Sequence, residues 1–138
     1  MADLPEKLAG VPLFSRLSPR DLKQLAKRMN ERRWNEGETV IEEGKGGAGF
    51  WVIEAGNATI SVRGKSINTL GPGEHFGEIA LLDDGPRSAT VTAATDLTCF
   101  GIVAWEFAPF VRENPDVAWT LMQTLAARLR DAESRRAT

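Results

Sequence analysis

The chain is poor in the residues that build covalent frameworks, metal sites and hydrolytic centres. It has one cysteine, Cys99, so no internal disulfide framework can form, and the composition fits a reducing cytoplasm. It has one histidine, His75, which excludes a multi-histidine metal site. No serine, aspartate or second histidine stands in a recognisable catalytic pattern with His75, so no enzyme activity is expected. A basic excess is missing too: 17 lysines and arginines face 19 acids, a net charge of −2. That argues against nucleic acid as a partner of this chain by itself, because nucleic-acid binders carry surplus cations. No segment approaches the roughly 18 apolar residues of a membrane span, and no membrane partner is expected. The start, MADLPEKLAG, lacks a basic-then-apolar signal pattern. Internal repeats and low-complexity stretches are absent.

What is present is an ordinary globular composition, 42% hydrophobic and 26% charged over 138 residues, enough for one domain with one core. The domain reads in three parts. Residues 1–30 read as helical: Ser18 is an N-cap, Pro19 suits the first helical position, and Asp21 favours the positive helix end. Leu22, Leu25, Ala26 and Met29 repeat at helical spacing. Upstream, Leu8, Val11, Leu13, Phe14 and Leu17 form an apolar group.

Residues 31–104 read as short strands punctuated by glycine. Thr39–Ile41 is β-rich, and Gly49–Ile53 is a second β-rich run closing at Ala55-Gly56. Ala58, Ile60 and Val62 alternate with polar neighbours. Arg63-Gly64-Lys65-Ser66 is a hairpin turn, Ile67–Leu70 returns, and Gly71-Pro72-Gly73 turns again. Ala89, Val91 and Ala93 alternate with Thr90 and Thr92, and Cys99–Ala104 closes the set. Many short strands with regular turns predict a sandwich or jelly roll. Residues 105–138 return to helix. Trp105–Arg112 is a short amphipathic piece. Asn114-Pro115-Asp116 starts a long helix with an apolar stripe of Ala118, Leu121, Met122, Leu125 and Leu129. Arg130–Thr138 is charged and expected to fray. Trp34, Trp51, Trp105 and Trp119 are expected in core or helix packing, with a dimer seam as the rival place for Trp119. Cys99 is expected to be a buried small hydrophobe.

The segment 76–91, FGEIALLDDGPRSATV, carries the chemistry. A strand, a glycine and a single helical turn over Ile79–Leu82 make an anion site, because free N–H groups at a helix start point at the anion. Gly77 lets the backbone approach a ligand closely. Arg87 presents a planar fork to two phosphate oxygens, and Ser88 adds a hydroxyl. Glu78 is the informative misfit. A carboxylate repels phosphate, but it can accept hydrogen bonds from a sugar hydroxyl on the same ligand. Together they describe a compactly bound nucleotide. The rival reading of Glu78 with Arg87 is a structural ion pair. Asp83 and Asp84 read as a solvated turn. Gly44–Gly49 reads as a flexible hairpin, since it lacks the GxxxxGK[ST] pattern.

This segment resembles the phosphate-binding cassette of cyclic-nucleotide-binding domains, as found in kinase regulatory subunits, cyclic-nucleotide-gated channels and catabolite activator proteins. Gly77, Glu78, Ala80, Leu81, Pro86, Arg87, Ala89 and Thr90 carry the likeness, with a spacing of nine from Glu78 to Arg87. Val11–Phe14, Glu43-Gly44, Phe50–Gly56 and Leu70–Gly73 extend it to roughly residues 8–130. Among bacterial versions it looks most like the domains of cyclic-nucleotide-regulated potassium channels. The resemblance implies a mainly β domain with flanking α-helices: a double-stranded β-helix, or jelly roll, with an N-terminal helical entry and C-terminal hinge and lid helices. It implies a ligand, cAMP rather than cGMP, and no other cofactor or metal. Arg87 would hold the exocyclic phosphate oxygens and Glu78 the ribose 2′-OH. Backbone N–H groups of Gly77, Ile79 and Ala80, or of Ser88 and Ala89, would complete the cradle that Phe76 opens. Ile60 and Ile67 would line the base pocket, and Arg128 is the candidate base cap. Ligand would draw the cassette inward, move the hinge at Trp105–Arg112 and swing the helix from Pro115 over the base. The C-terminal helices are then the expected seam for a homodimer or an effector. A degenerate β-roll interaction module, or a cupin-like metalloenzyme, is the alternative.

Overall fold

The computed structural model describes residues 3–45, 49–83 and 85–137. The positions Gly46, Gly47, Ala48 and Asp84, within the expected hairpin and acidic turn, lie outside the described residues. Contacts divide the chain into a β unit, Arg28–Phe107, and a helical unit, Met1–Lys27 with Ala108–Thr138.

Among the described residues the β unit holds eight strands in two four-stranded antiparallel sheets, ordered β1-β8-β3-β6 and β2-β7-β4-β5. The strands are β1 (Asn30–Trp34), β2 (Thr39–Ile41), β3 (Gly49–Ala55), β4 (Ala58–Val62), β5 (Lys65–Leu70), β6 (His75–Phe76), β7 (Thr90–Ala93) and β8 (Leu97–Val103). This is the expected jelly roll. Alternation decides what faces inward: along β7, Val91 and Ala93 are buried and the two threonines are half-exposed. The inward side chains form one core, including Trp34, Trp51, Ile53, Phe76, Val91 and Leu97. The β4–β5 hairpin turns on Arg63 (φ 53) and Gly64 (φ 78), the pair of positive φ values a two-residue type I′ turn requires. Its ladder pairs Ile60 with Asn68 and then Ser61 with Ser66, which leaves Ile67 as the extra residue of a bulge.

Two strands were not legible. β1 has four exposed residues out of five and no alternation, yet it pairs along its whole length with β8, Asn30 opposite Gly101 through Trp34 opposite Leu97. β6 is two residues long and exists by pairing with Trp51 and Val52.

In the helical unit, α1 (Leu4–Ala9) is capped by Asp3, whose carboxylate accepts from Glu6 N at 3.0 Å. A 3₁₀ turn spans Pro12–Phe14. The helix α2 (Pro19–Lys27) starts as expected, with Asp21 N donating to Ser18 Oγ at 3.2 Å; Met29 lies beyond its end but is buried. Leu8, Val11, Leu13, Phe14 and Leu17 are all buried. The helix α3 (Ala104–Glu113) is followed by α4 (Pro115–Ala137). Asn114 precedes α4, but its side-chain amide donates back to the Phe110 carbonyl at 2.8 Å.

Three expectations are corrected here. The buried face of α4 is Val117, Leu121 and Thr124, not the stripe through Met122 and Leu129, which are 54% and 60% exposed. Thr124 can sit there because its hydroxyl donates to the Thr120 carbonyl at 3.1 Å. Trp105 and Trp119 are 70% and 61% exposed, so neither is a packed residue. The charged end is helical to Ala137, with Arg135 paired to Asp131 at 2.6 Å one turn away.

Candidate functional site

The cassette runs from the end of β6 to the start of β7. Phe76 is buried at the end of β6. Gly77 takes φ +90, and a side chain there would begin 2.4 Å from the Gly49 carbonyl oxygen and 3.1 Å from Arg87 Nη1. Only glycine supplies both the left-handed backbone and that clearance. A 3₁₀ turn follows over Glu78–Leu81, one residue earlier than the expected turn. The chain then loops through Gly85 and Pro86 and brings Arg87, Ser88 and Ala89 back towards Glu78 before β7 begins.

These residues enclose a cavity of about 280 Å³, near the ~300 Å³ lower end of small-molecule sites. Phe76, Gly77, Glu78, Ile79, Ala80, Arg87, Ser88 and Ala89 all line it, with Ile60 from β4. Ile67 is not among the lining residues; it is 60% exposed at the β5 bulge. Arg128 belongs to α4 in the helical unit, on an exposed stretch. Ile41, Val91, Asp83 and Gly85 line the cavity without having been singled out as ligand contacts. Ile41 lies at the edge of β2, which pairs with β7. That register was its only signal, and it is a long-range one.

Arg87 is the electrostatic centre. Its Nη2 donates to the Gly49 carbonyl at 2.8 Å. Its Nε is buried with no hydrogen-bond partner among the described residues, and burial lowers its pKa from the ordinary arginine value. Among the described residues no ion pair joins it to Glu78 or to any other acid, so the structural ion-pair reading lacks its bond. A half-buried cation without a counter-ion is costly, and an anion in this cavity would relieve that cost. The main chain of Arg87 is fixed from both sides: its N–H donates to the Lys45 carbonyl at 3.0 Å and its carbonyl accepts from Gly44 N at 2.8 Å. Glu43 N donates to Thr90 Oγ1 at 3.0 Å. The segment read as a flexible hairpin therefore buttresses the cassette at both described ends.

Glu78 is half-buried, and its carboxylate makes no hydrogen bond to a described residue. Its acceptor oxygens remain available. The Ala80 N–H is committed to the Gly77 carbonyl at 3.1 Å, whereas those of Ile79, Ser88 and Ala89 enter no backbone bond among the described residues. The other candidates are accounted for by packing. The His75 ring lies 6.2 Å from that of Phe50. Cys99 is fully buried, and burial pushes its thiol up to about 12. Among the described residues no three His, Cys, Asp or Glu side chains converge as a metal site, and no helix is long and apolar enough to cross a membrane.

The geometry can be set beside known proteins. The family model described as cyclic nucleotide-binding domain matches residues 31–114. The chain is 44% identical over 91 residues to a cAMP-dependent protein kinase regulatory subunit of Eremothecium gossypii, covering 65% of this chain and 20% of that one. It is 30% identical over 131 residues to the cyclic AMP receptor protein of Thermus thermophilus, covering 91% and 61%. Its fold superposes on the crystal structure of the N-terminal domain of a transcriptional regulator from Streptomyces coelicolor A3(2), with a TM-score of 0.85, 30% identity and coverage of 94% and 93%. The chain thus spans from a fifth to about three fifths of the length of these two curated relatives.

Proposed function

The chain belongs to the cyclic nucleotide-binding domain family, and on that premise we propose that its cassette cavity holds a cyclic nucleotide through Arg87 and Glu78. Arg87 takes the exocyclic phosphate oxygens with its unspent N–H groups. Glu78 accepts from the ribose 2′-OH. The N–H groups of Ile79, Ser88 and Ala89 add donors around the phosphate, and Ile41, Ile60 and Val91 offer the base an apolar wall. The observation that carries this reading is the buried Arg87 Nε, which has no partner among the described residues, beside a cavity whose described carboxylates make no ion pair with it.

The ligand we propose is cAMP ahead of cGMP. Two of the relatives are named for cAMP, and the base wall is apolar apart from the Ser88 hydroxyl. Isothermal titration with each nucleotide, followed by competition, tests this. Heat from neither nucleotide would overturn the binding reading. Tighter binding of cGMP would overturn the base preference alone. We propose binding without turnover, so the nucleotide recovered after long incubation should be intact.

The output we propose is a shift in the C-terminal helices, with Arg128 of α4 as the base cap. A ligand can drive such a shift only through better affinity for one arrangement than the other. Hydrogen exchange along α4 should change on ligand addition, and an unchanged profile would sink the idea. Trp119, Met122 and Leu129 are exposed at i, i+3 and i+10 of α4, an apolar face fit for a partner helix from an effector or a second copy. Sedimentation with and without nucleotide tests the second copy. A cytoplasmic setting accords with a thiol kept reduced and buried at Cys99.

A further inference from the structure

Behind the cassette, the indole of Trp51 lies across two glycines. A side chain at Gly101 would begin 1.8 Å from Trp51 Cε3, and one at Gly49 would begin 2.5 Å from Trp51 Nε1. Both positions therefore exclude a Cβ while the ring stays where it is. The ring is held from other directions too. Trp34 meets it edge-on, with centroids 5.2 Å apart and planes at 88°. The Arg32 guanidinium lies 5.9 Å from it and 5.4 Å from the Trp34 ring, within cation–π range of both. Gly49 is thus caught between a fixed indole and the cassette. Its carbonyl oxygen is the acceptor for Arg87 Nη2 at 2.8 Å, and Gly77 passes so close to that oxygen that no side chain fits.

We infer that Trp51 is a positioning residue for phosphate capture: by fixing the Gly49 carbonyl it orients the Arg87 fork. One Nη2 proton goes to the Gly49 carbonyl, which leaves the other Nη2 proton and the Nε proton on one side of the guanidinium, and Nη1, for the ligand. Gly49 is the end rung of the β3–β8 ladder, opposite Val103, and the indole adds a second restraint where the carbonyl must point. A planar guanidinium binds two oxygens well only in one orientation, so loss of the indole lets the fork turn. This rests on Arg87 being the phosphate ligand.

The test is a double-mutant cycle on the whole chain with cAMP as the probe, using Trp51→Leu and Arg87→Ala, with melting temperature recorded for every variant. Trp51→Leu should weaken binding about 10- to 100-fold, as for losing the geometry of one charge-assisted hydrogen bond. In the Arg87→Ala background the same substitution should change affinity by less than about twofold, because the group it orients is gone. Equal fold-changes in both backgrounds would show Trp51 to be packing alone and overturn the inference. Trp51→Phe, which keeps a ring against Trp34, serves where Trp51→Leu does not fold. The two diastereomers of the cyclic phosphorothioate give a second readout: the wild type should discriminate between them and Trp51→Phe should do so less. An unchanged ratio overturns the inference. The two failures are distinguishable. If Arg87→Ala binds like the wild type, the phosphate assignment itself falls. If it loses affinity while both Trp51 variants bind normally, only the role of Trp51 falls.

Discussion

Replacing Arg87 with alanine separates a binding cation from a structural one. Among the described residues the guanidinium makes one side-chain hydrogen bond, to the Gly49 carbonyl, and its buried Nε has no partner. A hydrogen bond of that kind contributes about 1–3 kcal/mol, and a buried unsatisfied donor costs about the same. The two nearly cancel, so ligand-free Arg87→Ala should melt within about 1 kcal/mol of the wild type in stability. Binding is different. A cyclic phosphate would take unspent N–H groups of the fork, Nε among them, and supply a counter-charge, and truncating one partner of such a pair costs about 2–5 kcal/mol. That corresponds to a loss of roughly 30- to 4,000-fold in affinity. Titration calorimetry measures the binding and thermal unfolding the stability. The ligand-induced rise in melting temperature should vanish in the variant at nucleotide concentrations that saturate the wild type. Normal affinity would refute the phosphate assignment. A large loss of ligand-free stability with normal affinity would make Arg87 a structural tie.

Three further outcomes are expected. Glu78→Ala should weaken cAMP by about 1–3 kcal/mol, the worth of a hydrogen bond to a charged acceptor, and should not weaken a 2′-deoxy analogue; an equal loss for both nucleotides would remove Glu78 from the ribose. Gly77→Ala places a Cβ against the Gly49 carbonyl at φ +90. It should cost about 1–3 kcal/mol of stability in urea melts and weaken binding as well; a neutral variant would mean the cassette backbone is not held as described. Cys99 should resist thiol reagents at pH 8 until the chain unfolds, since burial raises its pKa from 9.0 to about 12. Folded Cys99 keeps its proton where the unfolded thiol has lost it. Its contribution to stability is therefore full below pH 9 and lost as the pH climbs towards 12, and stability that rises across that window would contradict the burial.

The parts of the fold legible in sequence are those with local causes. Ser18 before Pro19 and the Asn114-Pro115 step mark helix starts because caps and fixed φ act within one turn. The alternation of Thr90–Ala93 marks a strand because one face is buried. What escaped had no local cause. The five residues of β1 carry four exposed side chains and became a strand through β8, which lies far along the chain. The face of α4 was misjudged because Met122 and Leu129 are apolar and Thr124 is not, and periodicity cannot see that the Thr124 hydroxyl satisfies itself on its own helix. The resemblance puts Ile67 with Ile60 at the base pocket, but the bulge in the β4–β5 ladder leaves Ile67 as the extra, unpaired residue.

For the site, the sequence by itself supplied the proposed chemistry: a glycine, a carboxylate and an arginine at the spacing of a phosphate-binding cassette. The tertiary structure decided how that chemistry is aimed. The acceptor that steadies Arg87 is the carbonyl of Gly49, 38 residues away, and a backbone carbonyl leaves no trace in the residue type. Ile41 reaches the cavity through the pairing of β2 with β7, and the need for glycine at positions 49 and 101 is visible only once the Trp51 indole lies across them. Side-chain type is written residue by residue, whereas orientation is set by contacts between segments distant in the chain. Only the folded molecule brings those segments together.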